Sequence, residues 1–277
     1  MSEDCHPVMS ALARGRYTTI DQDYRWTQFA SLLMALTHRN VVSRYRKSIL
    51  GPAWAVIQPV GYMLLFIFLR GVAGFSDEGI PYPIFTFAAL VPWTFFSNAV
   101  VQSAPSVLMN ANVIKKIAAP REVFPLSAVM TALFDFAMSG AVLVGFMIWY
   151  QIQVGFALLW LPLLMAVTAL LAFAVGMFLA SLGTFKRDLI MAAPFLMQLW
   201  LFTSPIMYPL SQVPEKWRSL YIMNPVVGLI EGYRNVLLKG SAPPMESFLW
   251  SVAITAVILL FTWPLYRWMS KYFTDVM

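Results

Sequence analysis

Two acidic residues near the amino terminus have a spacing that could support chemistry. Asp21-Gln22-Asp23 has the Asp-x-Asp pattern with which paired carboxylates hold a divalent cation on a diphosphate. The signal is weak because too little chain precedes the pair for a nucleotide-binding fold, so we interpret both acids as residues at the start of a helix. The two histidines, His6 and His38, are too few and too far apart to form a zinc site. We therefore predict no catalytic residue and no metal site.

Nucleotide-binding and hydrolase signatures are absent from the sequence. There is no Gly-x-x-x-x-Gly-Lys-Ser/Thr loop, whose backbone amides would cradle phosphates, and no Gly-x-Ser-x-Gly turn. Cys5 is the single cysteine, so the chain cannot form an internal disulfide. The basic residues cluster beside apolar segments, so the pI near 9.5 does not indicate a partner that is a nucleic acid.

Asp135 is the one formal charge in the stretch from Val123 to Phe185. A carboxylate in the middle of a membrane span is costly, and such residues usually face a bundle interior or water. We consider two roles for Asp135 equally supported by the sequence. One is participation in transport, and the other is a helix–helix hydrogen bond made by the protonated acid.

Aromatic residues make up 15% of the chain and fall into two groups. Trp149, Tyr150, Trp263, Tyr266 and Trp268 sit at the ends of apolar stretches, as in the aromatic belt at a membrane surface. A second group could line a pathway, because flat aromatic faces contact sugar rings without strong polar bonds. We predict as substrate-channel residues Trp54, Tyr62, Phe66, Trp93, Phe95, Phe96, Trp200, Phe202 and Tyr208.

The elements that would position these residues are membrane-spanning helices. Hydrophobic residues make up 60% of the chain and charged residues 12%, against roughly 25% charged residues in an average soluble domain. A helix needs about 20 apolar residues to cross the hydrocarbon core, and uncharged stretches of that length recur. We predict an all-α integral membrane protein with six transmembrane helices. The predicted spans are Pro52–Leu69, Ile84–Val107, Phe124–Tyr150, Phe156–Leu182, Ile190–Tyr208 and Phe248–Trp268.

Lysine and arginine are concentrated in alternate connections. Of the 19 such residues, 14 precede span one, lie at the end of span six or after it, or lie between spans two and three or four and five. The positive-inside rule therefore predicts that both termini are cytoplasmic, in agreement with an even number of spans. The first 25 residues contain no apolar run, so we expect no cleavable signal peptide and a multi-pass protein in its membrane.

Two segments on the cytoplasmic side are predicted to lie outside the spans. Apolar residues recur at helical steps from Trp26 to Leu36 among polar ones, which predicts an amphipathic helix on the membrane surface. The connection from Asn110 to Pro120 predicts a short helix with an asparagine cap. Residues 1–50 would thus form a cytoplasmic tail with the amphipathic helix, and residues 51–277 a six-span transmembrane domain.

The outward segment between spans five and six is too apolar for a free loop. It carries charged residues and is cut by Pro209, Pro214 and Pro225. We predict two short helices, Glu215–Met223 and Val226–Leu238, that dip back toward the membrane. Non-helical backbone at that depth persists only against protein or a wet cavity, so such a re-entrant structure suggests a gate.

Several runs of residues resemble one transporter family. Residues 44–59, RYRKSILGPAWAVIQP, are similar to the start of span one in the permeases of bacterial ABC polysaccharide exporters, which belong to the type-2 ABC exporter class. The resemblance covers the chain from about Tyr24 onward, and a match of this length is more specific than a short motif. The carboxy-terminal signature is carried by Phe185–Leu189, Gln198–Trp200, Ser204–Pro209, Val213–Arg218 and Asn224–Arg234.

The resemblance implies a homodimeric permease that works with two copies of a separate ABC ATPase. It implies export of a lipid-linked polysaccharide across the bacterial cytoplasmic (inner) membrane, with O-antigen exporters of lipopolysaccharide biosynthesis most similar and capsule and teichoic acid exporters next. ATP and magnesium would bind on the partner chain, so this chain would carry no cofactor. The amphipathic helix, residues 25–44, would be an interface helix, and spans one and five would line the channel.

Residue roles also follow from the resemblance. The connection 110–119 would be a coupling helix docked on the ATPase, and the segment 215–238 would form the extracytoplasmic gate. The implied coupling residues are Asn110, Asn112, Lys115, Lys116, Arg187 and Asp188. The implied gate residues are Pro205, Pro209, Trp217, Asn224, Glu231 and Arg234.

Two functions of other classes remain open at this stage. A membrane transferase acting on polyprenyl-linked sugars would need paired carboxylates on an outward loop, where Asp77-Glu78 is the adjacent pair. An ion-coupled secondary transporter usually has inverted repeats and ionisable residues at the midplane. The sequence has no recognisable repeat and the single acid Asp135, which favours the exporter.

Overall fold

The computed structural model describes residues 17–46, 48–73, 79–115, 120–153 and 155–276, and all regular structure within them is helical. The helices are α1 (Tyr17–Tyr45), α2 (Trp54–Ala73), α3 (Tyr82–Ser103), α4 (Ser106–Met109), α5 (Ala111–Ile114), α6 (Val123–Trp149), α7 (Leu161–Phe185), α8 (Asp188–Phe202), α9 (Glu215–Ile222), α10 (Pro225–Leu238), α11 (Met245–Ser270) and α12 (Phe273–Val276). Short 3-10 turns precede α2, α7 and α9 at Gly51–Ala53, Phe156–Trp160 and Leu210–Gln212.

Helix α3 lies at the centre of the bundle. It is apolar around most of its circumference, a pattern typical of a helix without a solvent-facing side, and 17 of its 22 residues are buried. It packs against α2, α6, α7, α8 and α10. The approach to α7 depends on Gly176, where a Cβ would come within 2.6 Å of the Ser103 Cβ. The core is therefore built around α3.

Five helices in the described part of the chain are long and apolar enough to cross a membrane, which makes the chain a multi-pass membrane protein. They are Gly51–Gly71, Tyr82–Ser103, Val123–Trp149, Phe156–Phe185 and Met245–Ser270. They match predicted spans one to four and six. In place of the predicted fifth span stands the 15-residue α8. At about 1.5 Å per residue it is roughly 22 Å long, less than the ~30 Å of a hydrocarbon core.

Helix α8 ends earlier than predicted because prolines follow it. The Thr203 amide still bonds to the Leu199 carbonyl oxygen at 3.3 Å, and the Ser204 hydroxyl donates to the Trp200 carbonyl oxygen at 2.9 Å. Pro205 has no amide hydrogen to continue the ladder. The chain then runs irregularly, apart from one 3-10 turn, to the start of α9.

Helix α1 includes the segment of the predicted amphipathic helix, and it is longer than expected. It begins at Tyr17, so Asp21 and Asp23 lie within the helix and the predicted role at its start is wrong. Leu36 is buried in the core, and the Asn40 amide donates to the Ser127 hydroxyl of α6 at 3.4 Å. The helix therefore packs along α6 while most of its other described side chains stay exposed.

Helices α9 and α10 occupy the two predicted short segments within one or two residues. α10 is mostly buried and packs between α3 and α11. A Cβ at Gly228 would lie 2.1 Å from the Ser247 backbone oxygen, so only glycine permits this crossing of α10 and α11. α9, by contrast, has no buried residue.

The carboxy-terminal end of α11 is fastened to the start of α6. The Arg267 Nε donates to Glu122 Oε1 at 3.1 Å, and the Tyr266 hydroxyl donates to the Arg121 carbonyl oxygen at 2.8 Å. Arg121 lies over the Phe273 ring at 5.9 Å from its centroid. The end of α11 and the connection before α6 therefore share one end of the bundle.

Candidate functional site

A cavity of about 830 Å³ lies between the end of α8, the irregular segment 203–214 and α9. We call it the aromatic cavity. Three predicted channel residues, Trp200, Phe202 and Tyr208, line it together with two predicted gate residues, Trp217 and Asn224. The structure thus brings part of each predicted set together at one place.

Asn224 organises the wall of the aromatic cavity. Its Oδ1 accepts hydrogen bonds from the Trp200 Nε1 at 2.9 Å and from the Val226 amide at 3.1 Å, so it caps α10 and holds the indole at once. Its Nδ2 donates to the Ser204 hydroxyl at 3.2 Å. One side chain therefore fixes the end of α8 relative to the start of α10.

Two tyrosines connect the irregular segment to α9. The hydroxyl groups of Tyr208 and Tyr221 are hydrogen-bonded, and their rings lie 6.4 Å apart between centroids. Burial, with the neighbouring Tyr208, raises the pKa of Tyr221 well above its usual value. Since the hydroxyls satisfy each other, the cavity presents mainly apolar surface, part of it aromatic. Aromatic rings suit the apolar face of a sugar ring.

Arg234 anchors the backbone behind this cavity, and its side chain is fully buried. Its Nη1 donates to the Pro205 carbonyl oxygen at 2.6 Å, and its Nη2 to the Ile206 carbonyl oxygen at 2.8 Å. The guanidinium carbon also lies 3.7 Å from the centroid of the Phe85 ring, and Glu231 supplies the counter-charge at 3.1 Å. The guanidinium group thus donates hydrogen bonds to two carbonyl oxygens just after the end of α8.

A charged cleft of about 690 Å³ lies along another face of α9. Glu215, Arg218 and Ser219 line it from α9, whereas Trp217, Leu220 and Tyr221 point from that helix into the aromatic cavity. The cleft is completed by Glu231, Asn235, Lys239 and Glu246 of the following segments. The short helix therefore separates an aromatic space from a charged one.

A second, smaller cavity of about 230 Å³ lies where α1, α2, α3 and α6 meet, and we call it the polar cavity. Arg44 forms an ion pair with Asp135, and the Tyr45 hydroxyl donates to the other carboxylate oxygen. Asp135 is thus partnered by a cation and a phenol of α1, so a helix–helix hydrogen bond is present, between α1 and α6. Trp54, Gln58 and Asn98 complete the lining.

Tyr62 connects α2 to α8. Its hydroxyl donates to Gln198 Oε1 at 3.1 Å, so these two predicted channel helices are directly bonded. The other predicted channel residues divide between surface and core. Trp54 and Phe202 are exposed, while Phe66, Trp93, Phe95 and Phe96 are at most 3% exposed and pack within the single chain. These four do not line an open surface in one copy.

The predicted coupling residues also divide. Asn110 is buried; its Oδ1 accepts from the Arg39 Nη2 at 2.6 Å and its Nδ2 donates to the Ser106 carbonyl oxygen at 2.7 Å. It sits at the start of α5 but makes no side-chain cap, so the predicted asparagine cap is wrong: the amide is engaged by α1 instead. Of the other five, Asn112, Lys115, Arg187 and Asp188 are exposed, and Lys116 lies outside the described residues.

Sequence reasoning did not predict the contacts of four polar residues that link helices. Gln58, Asn98, Gln198 and Arg39 were assigned no contact, although each connects two helices. A signal existed for three of them: Gln58, Asn98 and Gln198 are uncharged polar residues inside otherwise apolar spans, where polar groups are costly. Arg39 gave no comparable signal.

Comparison with known proteins adds an independent line of information. The sequence model of a family described as ABC-2 type transporter matches residues 31–238. The O-antigen export system permease protein RfbA of Myxococcus xanthus is 30% identical to this chain over 84% of it and 90% of the relative. RfbA of Klebsiella pneumoniae is 28% identical over 80% of this chain and 86% of the relative. The polysialic acid transport protein KpsM of Escherichia coli is 25% identical over 84% and 91%.

Proposed function

Because the chain belongs to the ABC-2 type transporter family, we propose that it is the membrane permease of an ATP-driven exporter for a lipid-linked polysaccharide. The substrate class is taken from the names of the similar proteins, which are O-antigen and polysialic acid export permeases. The observation that carries the proposal on the structural side is the aromatic cavity, whose ring faces suit sugar rings.

The conduit is proposed to form between two copies of the chain. α2 and α8 present adjacent apolar faces, with Trp54, Leu64 and Phe68 exposed on α2 and Phe195 and Phe202 on α8. Two such faces brought opposite each other would enclose a passage that leads to the aromatic cavities. Movement along it requires surfaces that contact the glycan without holding it, which aromatic and aliphatic side chains provide.

The proposed topology has six spans with both termini in the cytoplasm. α8 would be the fifth span, completed by the irregular segment 203–214, and α9 and α10 would form the re-entrant gate. Two contacts support the placement of both termini on the same side of the membrane. Arg39 of α1 bonds to Asn110, and Arg267 of α11 bonds to Glu122. Both therefore hold a terminal helix to the α3–α6 connection, which is a lysine- and arginine-rich one.

ATP hydrolysis is proposed to take place on two copies of a separate ABC ATPase, which would bind ATP and magnesium. The exposed Asn112, Lys115, Arg187 and Asp188, with Lys116, would contact that partner. Buried Asn110 would not touch it, and would instead pass movement of α5 to α1 through Arg39. This arrangement divides the predicted coupling set into contact residues and one positioning residue.

Capsular polysaccharide is the second candidate substrate, since KpsM relatives are polysialic acid transport proteins. The O-antigen proposal comes first because the relatives with that name are more similar, at 26 to 30% identity against 25%. In both cases the chain acts as a permease in the bacterial cytoplasmic membrane.

Deletion of the gene with analysis of lipid-linked glycan tests the proposal. We expect surface polysaccharide to be lost and lipid-linked glycan to accumulate on the cytoplasmic face, where externally added glycosidase cannot reach it in intact spheroplasts. Restoration by the intact chain, and not by a chain carrying Lys115→Glu and Asp188→Lys, would support coupling to an ATPase. Normal surface glycan after deletion, or glycan accumulated on the outer face, would overturn the proposal.

A further inference from the structure

The polar cavity contains hydrogen-bonding groups that the fold does not use. Asn98 Nδ2 and Gln58 Oε1 are 3.5 Å apart, a long contact at the limit for a hydrogen bond. Among the described residues, no protein group bonds to the Gln58 Nε2 or to the Asn98 Oδ1. Gln58 is exposed and Asn98 is half-buried in one copy, so both amides are accessible to a ligand. Because open polar groups in a membrane span carry a desolvation cost, a polar ligand that bonds to them would be favoured.

The cavity does not have the charge of an anion site. Arg44 is the one cation among the described lining residues; it is already paired with Asp135, and the Tyr45 hydroxyl donates to the same carboxylate. The net charge of the lining is therefore close to zero. A phosphate or diphosphate would have to break this ion pair, whereas a neutral polar ligand would not.

The composition of the lining fits a sugar. Sugar hydroxyls act as both donors and acceptors, and they are matched by an open amide donor on Gln58 and an open amide oxygen on Asn98. The Trp54 ring lines the same cavity and is 54% exposed, so it offers a face for the apolar side of a pyranose. A volume of about 230 Å³ has room for one such ring.

The position of the cavity agrees with a path along α2. Trp54, Gln58 and Tyr62 are spaced by four residues and therefore lie along one face of the helix. Tyr62 bonds to Gln198 of α8, so a second polar pair follows the first in the direction of the aromatic cavity. One helix face thus carries a ring, an amide and a phenol in succession.

We propose that the polar cavity is a monosaccharide subsite, in which Gln58 and Asn98 hydrogen-bond the hydroxyls of one sugar residue stacked on Trp54. This inference rests on the proposed function, since it assigns a glycan-binding step to the same conduit. Asp135 and Arg44 act as positioning residues that hold the end of α1 against the site.

The test uses the permease with its partner ATPase in proteoliposomes, and as probe the lipid-linked glycan that accumulates in the deletion strain. ATP hydrolysis is measured against glycan concentration for the unchanged chain, Gln58→Ala and Asn98→Ala. The matched control is Gln153→Ala, an exposed amide in the α6–α7 connection. We expect the half-maximal glycan concentration to rise about 3- to 10-fold in each cavity variant, as loss of one hydrogen bond implies, with the maximal rate little changed.

The outcomes separate this inference from the proposed function. Stimulation of the unchanged complex with no shift in either variant overturns the subsite and leaves the exporter in place. If the unchanged complex is not stimulated by glycan, the proposed function itself fails. If the alanine variants do not fold, Gln58→Met and Asn98→Leu keep the volume and remove the amides. A shift in these variants supports the subsite, and its absence overturns it.

Discussion

Arg234 donates a hydrogen bond of 2.6 Å to the backbone oxygen of Pro205, although 29 residues separate them. The second arm of the same guanidinium reaches the Ile206 oxygen at 2.8 Å, and the side chain is only 1% exposed. Arg234 of α10 thus donates hydrogen bonds to carbonyl oxygens of the proline-containing segment that follows α8. The planar guanidinium group of arginine can donate to two adjacent carbonyl oxygens at once, whereas the compact ammonium group of lysine matches this geometry less well.

Arg234→Lys should therefore destabilise the protein, even though the charge is kept. Loss of one arm leaves a buried carbonyl without its donor, at a cost of about 1 to 3 kcal/mol. The apparent melting temperature in detergent checks this, with Arg218→Lys on exposed α9 as the matched control. Equal melting temperatures for the two variants would mean that the guanidinium group does not hold the segment.

Gly228→Ala should separate α10 from α11. The added methyl would meet the Ser247 backbone oxygen at 2.1 Å, and backbone cannot rotate away as a side chain can. We expect a loss of about 1 to 3 kcal/mol in stability from this overpacking. Gly140→Ala on α6 is the control, because nothing lies within 4 Å of a Cβ there. A melting temperature for Gly228→Ala as high as that of the control would contradict the packing.

Arg44 and Asp135 should behave as a coupled pair. Arg44→Met leaves the carboxylate with the Tyr45 hydroxyl alone, and we expect it to cost about 1 to 3 kcal/mol. This is below the roughly 3 to 5 kcal/mol of a fully buried pair, since the Arg44 side chain is 32% exposed. The double variant Arg44→Met with Asp135→Leu should lose less than Arg44→Met alone. Arg46→Met serves as the control, and additive losses would exclude coupling.

Ionisation of Tyr45 should make the protein less stable at alkaline pH. Burial, followed by its hydrogen bond to Asp135, raises the pKa of Tyr45 to about 12. A raised pKa stabilises the protonated phenol in the fold, so the contribution is complete below pH ~10 and is lost as pH rises toward 12. Tyr45→Phe should be less stable than the parent at pH 7, by about 0.5 to 1.5 kcal/mol. The difference should shrink above pH 10, and a constant gap up to pH 12 would contradict the assignment.

Hydrophobicity made most of the helices predictable. The long apolar stretches correspond to α2, α3, α6, α7 and α11, because length and apolar composition are enough to identify a candidate membrane-spanning helix. The length of the fifth span was overestimated because the sequence remains apolar through Tyr208, whereas the helix ends before Pro205. Apolar composition does not distinguish a spanning helix from an irregular segment packed on protein.

The candidate site was predictable only in part. Trp200, Phe202 and Tyr208 were identified by aromatic type, and they do line one cavity. Phe66, Trp93, Phe95 and Phe96 are also aromatic but pack inside the chain, since which side of a helix faces its neighbours depends on tertiary contacts. The pairing of Asn98 with Gln58 brings together residues 40 positions apart, for which the sequence has no local pattern.

The central claim, that a glycan passes through this chain under the power of an ATPase, is tested most directly by photocrosslinking in cells. A photoreactive phenylalanine analogue replaces Trp217 in the aromatic cavity or, as a control, Phe261 on the exposed side of α11. We predict that the analogue at position 217 captures glycan only when the partner ATPase is active, and that the analogue at 261 captures lipid without glycan. Absence of glycan at 217, or equal capture with an inactive ATPase, would contradict the account.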